Sequence, residues 1–179
     1  AASDVYKRQV PMLSLQDVFD RGEVENFVAE MKKQLDDPEF VVEYKIDGLS
    51  LSLRYEYGEL KLAETRGDGI QYGEDVTANA KVIRDVKKKL KDKPEYLEIR
   101  GEVYMTEADF EKVNEKQELL GKKLFANPRN CAAGTLRQLD TAVTKERGLS
   151  MFIFNIQDAR GISFETHTDC LLYTSPSPR

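Results

Sequence analysis

The 179-residue chain has no tryptophan, one histidine and two cysteines. Its apolar runs are all far shorter than the roughly 20 residues a bilayer-spanning helix needs, and no secretory signal pattern is visible at the start. No membrane association is expected. With His167 as the only imidazole, mechanisms built on Ser-His or Cys-His pairs, or on several metal-binding histidines, have almost nothing to draw on. Cys131 and Cys170 form no CxxC pair, which leaves neither a disulfide framework nor a zinc site. A reducing, cytoplasmic location is therefore the expectation.

What is present fits one soluble domain or a large part of one. Hydrophobic residues make up 40% and charged residues 33%, with a net charge of −5. That balance argues against coating nucleic acid by bulk electrostatics, yet it permits a local basic surface. Lys81, Arg84, Lys87, Lys88, Lys89, Lys91 and Lys93 outnumber Asp85 and Asp92. A solvated helix end and turn explains the run, and a phosphate-backbone contact is the alternative.

Both ends differ from the middle. Residues 1–9 lack periodicity, and the stretch from Asp169 turns to Ser and Pro without apolar alternation. We expect a non-native leader at 1–9, a partial domain at 10–168 and a non-native tail at 169–179.

Between the ends the pattern is α+β, with antiparallel strands and flanking helices. Ser14 with Asp17 predicts a helix start, and Val24, Phe27, Val28, Met31 and Leu35 predict its apolar stripe, ending before Pro38. From Phe40 the period changes to two. Val42, Tyr44 and Ile46 alternate with Glu43, Lys45 and Asp47, and Leu51, Leu53 and Tyr55 continue in a second strand. Gly58 marks a turn into a strand over 61–65. Strands are predicted over 96–105 and 151–156. Thr106 and Asp109 open a helix carrying Phe110, Val113 and Leu120, and 127–139 begins as a Pro-containing loop before a short Ala-rich helix.

Four short segments carry candidate chemistry. In an extended strand Glu43, Lys45 and Asp47 share a face, and Gly48 lets the backbone approach a ligand closely. That trio also reads as a solvated ladder of opposite charges. Thr65-Arg66-Gly67-Asp68-Gly69 forms a tight loop able to offer Arg66 and backbone N–H groups to an anion; on its own it is a generic turn. Glu102, in Glu98-Ile99-Arg100-Gly101-Glu102-Val103, can accept from ribose hydroxyls or serve as an ordinary strand charge. The stretch Asn127-Pro128-Arg129-Asn130-Cys131-Ala132-Ala133-Gly134-Thr135-Leu136-Arg137-Gln138-Leu139 places Arg129 and Arg137 two turns apart. Their planar guanidinium forks suit phosphate, and an exposed basic helix is the alternative.

In this order the segments resemble NAD-dependent DNA ligases over about residues 10–165. The resemblance begins at Val10-Pro11-Met12-Leu13-Ser14-Leu15 and runs through Lys45-Ile46-Asp47-Gly48 to Phe152-Ile153-Phe154. The Lys-x-Asp-Gly core is shared with ATP-dependent ligases and capping enzymes; the Pro-Met-Leu-Ser-Leu and Asn-Pro-Arg-Asn stretches point to the NAD-dependent branch. The resemblance implies an incomplete, ATP-grasp-like nucleotidyltransferase (adenylation) fold in which Lys45 is the AMP-accepting nucleophile. It implies that Ser14, Leu15, Glu43, Arg66 and Glu102 bind the nucleotide, with Asp47, Gly48, Arg129 and Arg137 in support. NAD and Mg2+ are the implied cofactors, nicked double-stranded DNA the partner, and a monomer the expected state.

The later Asp-Gly-Val-x-x-Lys strand of that family does not occur in the 179 residues. Nor do the family's nicotinamide-capturing module and its OB-fold, helix-hairpin-helix, BRCT and zinc-binding modules, so Zn2+ is not expected here. The implied consequence is a catalytically impaired fragment. The alternatives are an ATP-dependent nucleotidyltransferase and a non-catalytic adenosine-binding fragment.

Overall fold

The computed structural model describes residues 5–7, 12, 16–67 and 72–174. In chain order the elements are β1 (Val5–Lys7), α1 (Arg21–Gln34), β2 (Leu49–Glu56), β3 (Glu59–Thr65), β4 (Tyr72–Glu74) and α2 (Thr77–Ala80). They continue with β5 (Tyr96–Tyr104), α3 (Glu107–Leu119), α4 (Pro128–Leu136), α5 (Thr141–Arg147), β6 (Ser150–Arg160) and α6 (His167–Thr174). The chain divides into two compact units, Leu13–Lys45 and Ala1–Met12 with Ile46–Arg179.

In the larger unit, an antiparallel four-stranded sheet runs in the order β3-β2-β5-β6, and β1 pairs with β4 in a separate ribbon. The expected alternation forms the sheet's apolar face. Leu51, Leu53 and Tyr55 of β2 are fully buried, each worth about 1.5–3 kcal/mol over the exposed state. They join Leu97, Ile99 and Val103 of β5 and Met151 and Ile153 of β6 in one core. Ile83, Val86 and Leu90, Val113 of α3, and Cys131, Ala132 and Leu136 of α4 complete it. Strand alternation then puts Ser50, Ser52 and Arg54, with Glu98, Arg100 and Glu102, on the opposite face.

The β2–β3 hairpin closes through Tyr57 and Gly58, both at positive φ, as a two-residue type I′ turn requires. Thr106 caps α3 by accepting from the Asp109 backbone N–H.

The back of α4 is held by a buried amide. Asn79 Nδ2 donates to the carbonyls of Leu136 (2.7 Å) and Gln138 (2.8 Å). The Thr144 hydroxyl lies 3.1 Å from Asn79 Oδ1 and 2.9 Å from the Thr135 carbonyl. These contacts satisfy carbonyls that a helix C-terminus leaves without intrahelical partners.

The smaller unit contains α1. Its N-cap is Asp20, which accepts from the Glu23 backbone N–H at 2.9 Å, while Glu23 Oε2 accepts from Phe19 N–H. The helix therefore starts later than the Ser14/Asp17 pair predicts; Asp17 is non-helical and Ser14 lies outside the described residues. Val24, Phe27, Val28 and Met31 of the predicted stripe lie on α1 and Leu35 is its C-cap, but no residue of the helix is buried. Phe27 meets Phe40 edge-on, with centroids 6.3 Å apart.

Residues 38–47 form no strand, which corrects the period-two reading of 40–46. Val42 and Tyr44 are exposed. The sheet explains the difference. β3 reaches β2 only as far as Leu51, and β5, which ends at Tyr104, pairs no further than Leu49↔Val103. Alternation alone forms no ladder where neighbouring strands have run out.

Three smaller features follow from local chemistry. Pro128 is the first residue of α4 rather than part of a loop, behind the Asn127 cap, since proline at that position loses no helical hydrogen bond. Within the expected leader, Val5–Lys7 pairs with β4, a contact that needs backbone groups and no side-chain pattern. Helix α6 crosses the expected boundary at Asp169, where Thr166 and Asp169 cap reciprocally and Leu171 and Tyr173 pack on the core. Residues 175–179 lie outside the described residues.

Candidate functional site

The central strand β2 gathers the candidate residues of the larger unit at its N-terminal end. Gly48 is buried immediately before the strand. A Cβ there would lie 2.2 Å from the Val103 carbonyl oxygen and 3.1 Å from Glu102 Cγ, so only glycine lets the backbone pass. Two residues on, Ser50 faces Glu102 across the β2–β5 ladder. Its hydroxyl donates to Glu102 Oε2 at 2.7 Å. On the other side of β2, the Arg66 backbone N–H donates to the Ser50 carbonyl at 3.2 Å. Gly48, Arg66 and Glu102, 54 residues apart in sequence at the extremes, thus share one end of the sheet.

Asp47 joins them through α4. Arg129 Nη1 donates to Asp47 Oδ1 at 3.2 Å, with both side chains largely exposed. Arg137 goes elsewhere: its Nε donates to Glu74 Oε2 at 2.6 Å. The two arginines are separated by about 12 Å of helical rise and hold different acidic partners. Arg137 is the C-cap, where the chain has left the helix.

Lys45 and Glu43 belong to the smaller unit and are exposed in irregular backbone. The shared strand face expected for Glu43, Lys45 and Asp47 is therefore absent. Of the Thr65–Gly69 loop, Thr65, Arg66 and Gly67 are described; Gly67 has a φ of +54°, as a tight turn there demands. Asp68, Gly69, Ser14 and Leu15 lie outside the described residues.

Three basic side chains of the run 81–93 are engaged. Lys89 pairs with Glu59, Arg84 with Asp109, and Lys87 Nζ donates to the Tyr173 carbonyl. The solvated-turn reading accounts for these contacts. Burial pushes the Cys131 thiol up, against smaller opposing effects from Thr135 and Arg147, which suits a packing role rather than a nucleophile.

Sequence reasoning did not single out two polar residues of the same sheet face. Glu98 is buried, accepting from Ser52 Oγ at 2.9 Å and from Tyr96 OH at 2.7 Å. Burial, then the Glu98 hydrogen bond, pushes the Tyr96 phenol well above its ordinary range. Ser50 was equally silent. The only signal for either is register: Ser50 falls opposite Glu102 once β2 and β5 are aligned, while Ser52 falls opposite Arg100, diagonal to Glu98.

This antiparallel α+β scaffold, with a Lys-x-Asp-Gly segment ahead of β2 in the chain, has a clear family. The model for the NAD-dependent DNA ligase adenylation domain matches residues 3–175, and the chain belongs to that family. Among curated relatives, the DNA ligase of Clostridium kluyveri is 53% identical over 169 residues, covering 94% of this chain and 25% of that protein. The DNA ligase of Acetivibrio thermocellus is 53% identical over 163 residues, 90% of this chain and 24% of that protein. That of Lactiplantibacillus plantarum is 46% identical over 172 residues, 96% and 25%. The chain thus spans about a quarter of the length of these relatives. The family match falls on the NAD-dependent branch, not on the ATP-dependent alternative.

Proposed function

We propose that this chain carries the nucleotide-charging step of an NAD-dependent DNA ligase on an ATP-grasp-like nucleotidyltransferase fold. The Lys45 amine, once deprotonated, attacks the α-phosphorus of NAD. The bond to nicotinamide mononucleotide breaks, and AMP stays on Nζ as a phosphoramidate. AMP then passes to a 5′-phosphate at a DNA nick, and the 3′-hydroxyl displaces it to form the phosphodiester.

The observation that carries this reading is the family match over residues 3–175, which includes the Lys45-Ile46-Asp47-Gly48 segment. The grouping of Gly48, Arg66 and Glu102 at one sheet end supports it. In this reading Glu102 accepts from the ribose, Arg66 and Arg129 face phosphate, and Ser14, Leu15 and Glu43 line the adenosine site. Arg137, tied to Glu74, supports the fold of the motif.

The described residues do not fit a protein-built metal cage, for they contain no group of three His, Cys, Asp or Glu side chains that could hold an ion. No step is assigned to Mg2+. No helix among the described residues is long and apolar enough to cross a membrane.

The test is peptide mapping by mass spectrometry after incubation with NAD or with ATP. AMP is expected on the Lys45 peptide with NAD, not with ATP, and not in Lys45→Ala. AMP on another lysine, or no AMP on Lys45 with NAD, would overturn the reading.

A further inference from the structure

We propose that Ser50 is a positioning residue for Glu102, fixing the carboxylate that receives the sugar hydroxyls of an adenosine nucleotide. The inference rests on the role given to Glu102 above.

Two contacts confine the Glu102 side chain. Ser50 stands directly opposite it in the antiparallel ladder and donates to Oε2 at 2.7 Å. Gly48 backs onto its stem, so closely that an added Cβ would lie 3.1 Å from Cγ. Glutamate loses considerable rotamer freedom when a ligand orders it. A carboxylate already ordered by the protein spares the ligand that cost. An ionised carboxylate offers about four acceptor positions, so an interaction with Ser50 is compatible with accepting from ribose.

A diagonal contact further along the same two strands, where Ser52 stands opposite Arg100, provides a control. Ser52 and Glu98 repeat the serine-to-glutamate hydrogen bond, but Glu98 is only 4% exposed and also accepts from Tyr96. Glu98 is sealed into the fold. Glu102 is half-buried at the strand end beside Gly48, within reach of a ligand. The same chemical pair is structural at one position and faces the site at the other.

The experiment is calorimetric titration of the chain with adenosine and with 2′,3′-dideoxyadenosine. The wild type should prefer adenosine. Ser50→Ala should lose about tenfold in adenosine affinity, the scale of one charge-assisted hydrogen bond, and change little toward the dideoxy compound. In a Glu102→Ala background the Ser50 change should have no further effect. If Ser50→Ala does not fold, Ser50→Thr and Ser50→Val, matched in shape, make the same comparison, with only threonine keeping the preference.

A wild type that binds both nucleosides equally, or neither, would sink the role of Glu102 and this inference with it. A wild type that discriminates, together with a Ser50→Ala that still does, would overturn the inference alone. Equal weakening toward both compounds would mean that Ser50 acts only on the fold, which also overturns it.

Discussion

Arg129 and Asp47, 82 residues apart in sequence, form an ion pair of 3.2 Å that ties the first turn of α4 to the residue before Gly48. The side chains are 61% and 78% exposed, so solvent screens the attraction. A double-mutant cycle of Asp47→Asn and Arg129→Ala, read by urea unfolding, should give a coupling below about 1 kcal/mol. If AMP labelling of Lys45 falls much further than that in either variant, the pair serves the chemistry more than the fold. A coupling above about 2 kcal/mol would reverse that conclusion.

Gly48→Ala should be far more costly. The new Cβ would overlap the Val103 carbonyl, which is backbone of a central strand and has little room to yield. Destabilisation of about 3 kcal/mol is expected, at the upper end of overpacking effects. Denaturant titration checks it, and a loss under about 1 kcal/mol would show that the β2–β5 ladder can shift.

Tyr96→Phe removes one of the two hydroxyls that donate to buried Glu98. The aromatic ring and its packing survive, but one carboxylate oxygen loses its partner. A cost of about 1–3 kcal/mol follows from leaving a buried acceptor unsatisfied. Thermal unfolding at neutral pH measures it, and an unchanged midpoint would mean that water replaces the phenol.

Acid should weaken the anchor at the start of α3. Burial pushes the Asp109 carboxyl up, but hydrogen bonds from Thr106 and Arg84, with the charges of Arg84 and Lys112, outweigh it and leave the group below its ordinary value. A depressed carboxylate stabilises above its unfolded pKa and loses that contribution as pH falls through the folded one. Asp109→Asn should therefore cost about 1 kcal/mol near neutrality, discounted for the exposed Arg84, and should flatten the decline below about pH 4. Hydrogen bonds from Lys61 and Lys89 hold Glu59 at about 2, so a reduced slope persists. An identical acid profile for wild type and variant would refute the assignment.

The sheet was legible where a single rule decided the outcome. Leu51, Leu53 and Tyr55 alternate because one face of β2 is buried, and burial enforces register. Val42, Tyr44 and Ile46 alternate in the same way, yet no strand forms there, because alternation records a preference and a ladder needs a neighbour. The Thr106 cap of α3 could be read from the sequence, whereas the Asp20 cap of α1 was masked by the earlier Ser14/Asp17 pair. For the candidate site, the motif residues could be named from their order along the chain. Their partners could not. Ser50 beside Glu102, and Arg137 on Glu74 rather than beside Arg129, depend on which strands and helices meet, and no local window of sequence contains that information.

The buried amide of Asn79 reaches Leu136 and Gln138 from more than fifty residues away, bracing the end of the arginine-bearing helix opposite Arg129. Asn79 has no chemistry to offer a nucleotide, yet its loss would slacken the helix that presents Arg129. A screen scored by AMP labelling alone would therefore return Asn79 beside residues of the proposed nucleotide site, and only a melting curve would reveal that its fault is mechanical.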